Sequence, residues 1–66
     1  MKNSIKVERA RLDMTQAQLA EKIQVSRQTI NAMEANKYVP STVLALKIAR
    51  LFNKTVNEIF ELDDTD

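Results

Sequence analysis

Arg27, Gln28, Thr29 and Asn31 stand together in the segment SRQTIN, and their side chains suit nucleic acid. A glutamine amide can bond adenine through N6 and N7, and a threonine methyl can lie against the thymine methyl. A guanidinium takes either guanine O6 and N7 or a phosphate, and the sequence does not choose between them for Arg27. To reach base edges, such residues must open a helix whose opposite face is packed. Ile30 and Met33 supply an apolar face at helical spacing, Ala32 falls on the polar side, and Thr29 lies between. Taken alone, this segment would be an ordinary solvated helix start.

The preceding residues change that reading. Thr15 and Gln18 form a capping box, the pattern in which each residue satisfies a free backbone donor of the other. Leu19, Ala20 and Ile23 follow at core spacing, and Ser26 caps the next helix. Two short amphipathic helices joined by a few residues form a helix-turn-helix, whose second helix enters the DNA major groove. Gln16, in the first turn, can hold a phosphate together with the free N–H groups and dipole of that helix end. Lys37, past the reading helix, can reach the backbone across the groove. Tyr38 either lies against sugar and phosphate or covers the core edge. Asn36 either contacts phosphate or ends the helix in the left-handed conformation, and the second role is favoured.

Periodicity is helical along the whole chain, which predicts an all-α domain of five helices. The first is expected from an Asn3 or Ser4 cap to about Leu12, and the third should end near Ala35. Asn36 to Pro40 form a loop, and Pro40 with Ser41 starts the fourth helix, with Ala45, Ile48, Ala49 and Phe52 at core spacing and Leu44 and Leu51 alongside. A second capping box, Thr55 with Glu58, opens a helix from Val56 to about Leu62. Residues 1–62 then make one domain, and 63–66 are an acidic tail expected to be frayed and disordered.

Composition narrows the chemistry. Among 66 residues there is no Cys, no His and no Gly, which removes thiolate and imidazole metal sites and glycine-rich phosphate loops. No cofactor, metal or small-molecule ligand is expected, and an enzyme is the weakest option. No apolar run approaches the roughly 20 residues that span a bilayer, so no membrane partner is expected. Residues 1–57 carry all ten Lys and Arg against four acids, net +6, whereas residues 58–66 carry five acids and no base. A basic body with an acidic end suits a polyanionic partner, although mixed charge is common on small proteins.

The pattern R9 … MTQAQLAEKIQVSRQTINAME … K37 … P40-S41 … ALKIARLF … TVNEIF resembles the lambda repressor and Cro family of helix-turn-helix domains, also called Xre-type. The resemblance covers nearly residues 5–60. It implies five helices and a two-fold dimer on operator DNA. It further implies phosphate contacts by Gln16 and by Arg27 or Lys37, and base contacts by Gln28, Thr29 and Asn31. It also implies an ion pair between Arg9 and Glu34 that fastens the first helix to the end of the third. Gln24, Asn36 and Asn53 stand where family members commonly carry glycine. Asn tolerates a left-handed backbone but Gln does not, so either Gln24 is strained or the turn is built differently.

Val43, Leu46, Val56, Ile59, Phe60 and Leu62 exceed what one small core face needs, and they are the candidate homodimer surface. The leading expectation is therefore a cytoplasmic, nucleoid-associated regulator, most simply a repressor, that binds a palindromic operator as a dimer. The competing one is a protein-interaction module, such as an antitoxin or anti-regulator, working through the apolar surface of the fourth and fifth helices.

Overall fold

A computed structural model describes all residues, 1–66. Helices α1 (Ile5–Arg11), α2 (Gln16–Ile23), α3 (Arg27–Glu34), α4 (Thr42–Leu51) and α5 (Val56–Ile59) follow one another, bracketed by two short strands, β1 (Lys2–Asn3) and β2 (Phe60–Glu61). The expected helical domain is present. The two-stranded ribbon is an addition: β1 and β2 pair antiparallel, with Lys2 opposite Glu61 and Asn3 opposite Phe60.

Local chemistry starts each helix. The hydroxyls of Thr15, Ser26, Ser41 and Thr55 accept from the N–H groups of Gln18, Thr29, Leu44 and Glu58. Both expected capping boxes form, at Thr15 with Gln18 and at Thr55 with Glu58. Each such cap contributes about 1 kcal/mol. At α1 the two candidate caps divide the work. Ser4 holds the cap position without a side-chain bond, while Asn3 Oδ1 accepts from the N–H of Ile5 at 3.2 Å.

Helix ends follow one device four times. Asp13, Gln24, Asn36 and Asn53 all have positive φ, between 53° and 61°. After each, a backbone N–H reaches five residues back: Met14 to Arg9, Val25 to Ala20, Lys37 to Ala32 and Lys54 to Ala49, at 2.9–3.0 Å. This is the bond of the Schellman ending, usually built on glycine. Gln24 therefore does occupy the left-handed region, at φ 61° and ψ 46°, and the strained alternative is the observed one.

The core gathers Ile5, Leu19, Ala20, Ile23, Ile30, Met33, Leu44, Ile48, Ala49, Phe52, Ile59 and Phe60. Burying a large aliphatic or aromatic side chain contributes about 1.5–3 kcal/mol, so this cluster holds the helices together. Two expectations need correction here. The last helix stops at Ile59 and not near Leu62, because Phe60 turns extended (φ −114°, ψ 139°) and sends its ring into the core. Ile59 and Phe60, expected on a dimer surface, are only 2% and 7% exposed and pack inside. Val56 is half-buried against the same core, whereas Val43, Leu46 and Leu62 are exposed. The acidic tail folds back on the amino terminus: the Met1 ammonium lies 3.1 Å from Asp63 and 3.0 Å from Asp66.

Candidate nucleic-acid interface

A three-residue turn, Gln24–Ser26, joins α2 to α3. Ile30 and Met33 are fully buried on one side of α3, and Arg27, Gln28 and Asn31 are exposed on the other. The helix is thus anchored by its apolar face and presents its polar one. Thr29 is half-buried, and its hydroxyl shares a 2.9 Å hydrogen bond with that of Ser26. Of the four base-contact candidates it is the least accessible. Lys37 and Tyr38 follow α3 as exposed residues. Asn36 ends the helix at φ 60°, and its Oδ1 accepts from Asn3 Nδ2 at 3.2 Å. The left-handed role is the one observed for Asn36.

An open cleft of about 450 Å³ lies at the N-terminus of α2, lined by Arg9, Thr15, Gln16, Ala17 and Arg27 among others. The backbone N–H groups of Gln16 and Ala17 find no acceptor within the chain, as expected for the first turn of a helix. Arg27 takes part in no ion pair. Free donors and an uncommitted guanidinium therefore converge on one concavity, an arrangement suited to a phosphate. Gln16 and Arg27, from different helices, are brought together here.

Beside the cleft lies the Arg9–Glu34 pair that the family resemblance implied. Arg9 Nε donates to Glu34 Oε2 at 2.6 Å and Nη2 to Oε1 at 2.9 Å, a bidentate contact joining α1 to α3. Nη1 of the same guanidinium donates to the carbonyl of Met14 at 2.9 Å and so fixes the turn into α2. The two side chains are 14% and 8% exposed. Burial pushes the Glu34 carboxyl up, but the hydrogen bonds from Arg9 and Gln16 outweigh it and hold the group below its usual value. The same hydrogen bonding to Glu34 raises Arg9 above its ordinary value.

Three features escaped the sequence reading. Gln16 Nε2 donates to Glu34 Oε1 at 3.1 Å, so the phosphate candidate is wired into the structural pair. Asn3 Nδ2 donates to the carbonyl of Met33 at 2.7 Å, which ties the N-terminal strand to the last turn of α3. Glu8 is a buried carboxylate, met by Lys54 Nζ at 3.0 Å and Arg11 Nη1 at 3.4 Å. Its signal was present, since Glu8 falls three residues after Ile5 on the buried side of α1, with Arg11 one turn further. The bond to Lys54, from the other end of the chain, had no local signal.

No cluster of His, Cys, Asp or Glu is arranged to hold a metal ion, and no helix is long and apolar enough to cross a membrane.

The turn geometry, the buried inner face of α3 and its polar outer face define a helix-turn-helix domain. A family model described as helix-turn-helix matches residues 5–59, and the chain belongs to that family. Over all 66 residues it is 48% identical to the uncharacterized HTH-type transcriptional regulator MJ0272 of Methanocaldococcus jannaschii, and the match covers the whole of both chains. An HTH-type transcriptional regulator of Archaeoglobus fulgidus is 46% identical, with all of this chain and 93% of that one covered. The HTH-type transcriptional regulator YgzD of Bacillus subtilis is 44% identical, with 97% of each chain covered.

Proposed function

We propose that this protein regulates transcription by binding double-stranded DNA, with α3 in the major groove and the α2 cleft on the phosphate backbone. Family membership and relatives named as transcriptional regulators support the general activity. The observation that carries the finer reading is the division of α3, with Arg27, Gln28 and Asn31 exposed above a fully buried Ile30 and Met33. Gln28 and Asn31 read base edges, Thr29 contributes its methyl, and Arg27 bridges the base edge and the α2 cleft. Gln16 and Lys37 hold phosphates on the two sides of the groove, with Tyr38 against the sugar-phosphate edge. Blocking a promoter is the simplest outcome, so the regulator is a repressor acting in the cytoplasm.

Specificity comes from two copies. Val43 and Leu46, three residues apart on one side of α4, are 64% and 55% exposed, and Val39, in the loop before that helix, is 64% exposed. Val39 and Leu46 border a small apolar cleft of about 210 Å³ that Val56 and Phe60 help to line. Joining this seam to its copy across a two-fold axis gives a homodimer on a palindromic operator, with half-sites about 34 Å apart.

Site selection from a random duplex pool, followed by affinity against salt, tests the assignment. A palindromic winner is expected. Arg27→Ala and Lys37→Ala should each flatten the log–log salt slope by roughly one unit, whereas Gln28→Ala should relax base preference and leave the slope unchanged. A pool that yields no enriched sequence, or slopes unchanged in both cation variants, would overturn the proposal.

A further inference from the structure

We infer that Glu34 is a positioning residue for DNA binding: its carboxylate locks the side-chain amide of Gln16 so that a donor, and not an acceptor, is offered to a phosphate in the α2 cleft. The inference rests on the DNA-binding function proposed above. A glutamine amide can be turned over at little cost, presenting either its NH₂ or its oxygen. An ionised carboxylate only accepts, so Glu34 Oε1, 3.1 Å from Gln16 Nε2, selects one of the two orientations. One N–H of that NH₂ is thereby used, and the second is left without a protein acceptor beside the cleft. The cleft is also lined by the free N–H groups of Gln16 and Ala17, by the unpaired Arg27 and, at its edge, by the exposed Asp13 carboxylate. Held this way, Gln16 adds a donor to those N–H groups and to Arg27, and not a further acceptor beside Asp13.

A carboxylate this near a phosphate would ordinarily repel it. Arg9 removes that objection, since its bidentate contact at 2.6 and 2.9 Å neutralises Glu34 while leaving Oε1 able to accept once more. The same guanidinium pins the carbonyl of Met14, immediately before the cap of α2. The start of α2 and the end of α3 are thus held in register through one acid. The ion pair alone would need only Arg9 and Glu34. Gln16, reaching the same oxygen from a third helix, is what links the pair to the cleft.

A double-mutant cycle on duplex affinity tests this, using DNA selected from a random pool and the variants Gln16→Ala, Glu34→Gln and both. A neutral amide at position 34 can donate to the Gln16 oxygen and turn it over. We expect Gln16→Ala to weaken the parent by about tenfold, the order of one hydrogen bond to a charged group, and the Glu34→Gln background by less than about twofold. Equal losses in both backgrounds would show that Glu34 is merely structural and would overturn the inference while DNA binding stood. A parent without affinity for any duplex would overturn the function and this inference with it. Should Glu34→Gln fail to fold, the Gln16 side-chain amide of the unaltered protein gives the answer by ¹⁵N–¹H spectroscopy. One of its protons should exchange slowly before DNA is added and keep its position, while the other moves on titration with the selected duplex. A pair of fast-exchanging protons, or a pair unmoved by saturating DNA, would refute the mechanism.

Discussion

Gln24→Gly should make this protein more stable, against the usual effect of adding glycine. Gln24 sits at φ 61°, and a side chain with a Cβ pays about 1–2 kcal/mol for that region. Glycine removes the clash but gains freedom in the unfolded chain, at a cost of about 0.5–1 kcal/mol. The hydrogen bond that makes the turn, from Val25 N–H to the carbonyl of Ala20 at 3.0 Å, involves backbone only and is retained. The Gln24 side chain is exposed and makes no hydrogen bond, so nothing else is lost. The net gain is about 0.5–1 kcal/mol, which for a 66-residue domain raises the melting temperature by about 4–7 °C. Asn53→Gly is the internal control. Asn53 has almost the same φ, 54°, but asparagine already tolerates it, so the melting temperature should change little or fall. Thermal unfolding followed by circular dichroism reads both variants. A Gln24→Gly protein that melts at or below the parent, or a gain matched by Asn53→Gly, would refute the strain argument.

Glu34→Ala leaves Arg9 without its partner and should cost about 2–4 kcal/mol, somewhat below a fully buried case because Arg9 keeps 14% of its side-chain exposure. Chemical denaturation reads this, and against a total of about 3–10 kcal/mol for a domain this size it is a large loss. A midpoint equal to the parent's would dispose of the pair as a stabilising contact. The same carboxyl sets an acid limit. Because its folded value lies below the unfolded reference of 4.5, its contribution is complete above that pH and is lost as the pH falls below it toward the folded value. Unfolding midpoints measured between pH 6 and about 3 should fall on that limb in the parent and fall less in Glu34→Ala. At the proposed dimer seam, Leu46→Lys should leave the fold intact, since the side chain is already half in solvent. It should weaken operator binding and abolish any dimer seen by sedimentation. An unchanged affinity for a two-half-site operator would move the seam elsewhere.

Much of the fold was legible because it is specified over four or five neighbouring residues. Thr15, Ser26, Ser41 and Thr55 announce helix starts through a side chain that reaches its own backbone three residues on. Asn36 and Asn53 announce helix ends, since asparagine accepts the left-handed backbone that a Schellman turn requires. Asp13 ends α1 in the same way but went unread, because no glycine position of the family drew attention to it. Phe60 misled for the opposite reason. Its spacing after Val56 and Ile59 suits a helix, but its ring reaches the core from an extended backbone, where β2 pairs with β1.

By itself, the amino-acid order determined the helical periods, the caps and the outward polar edge at Arg27, Gln28 and Asn31. Each depends on contacts along a single helix, where the register is set by the chain itself. Only the tertiary structure decided which of the apolar surplus is surface, since Ile59 and Phe60 are drawn inward while Val43 and Leu46 stay out. Only it joined Gln16 to Glu34, 18 residues apart, and Lys54 to Glu8, 46 apart. Such bonds exist because packed helices bring distant side chains within 3 Å or so, a distance on which no local pattern bears.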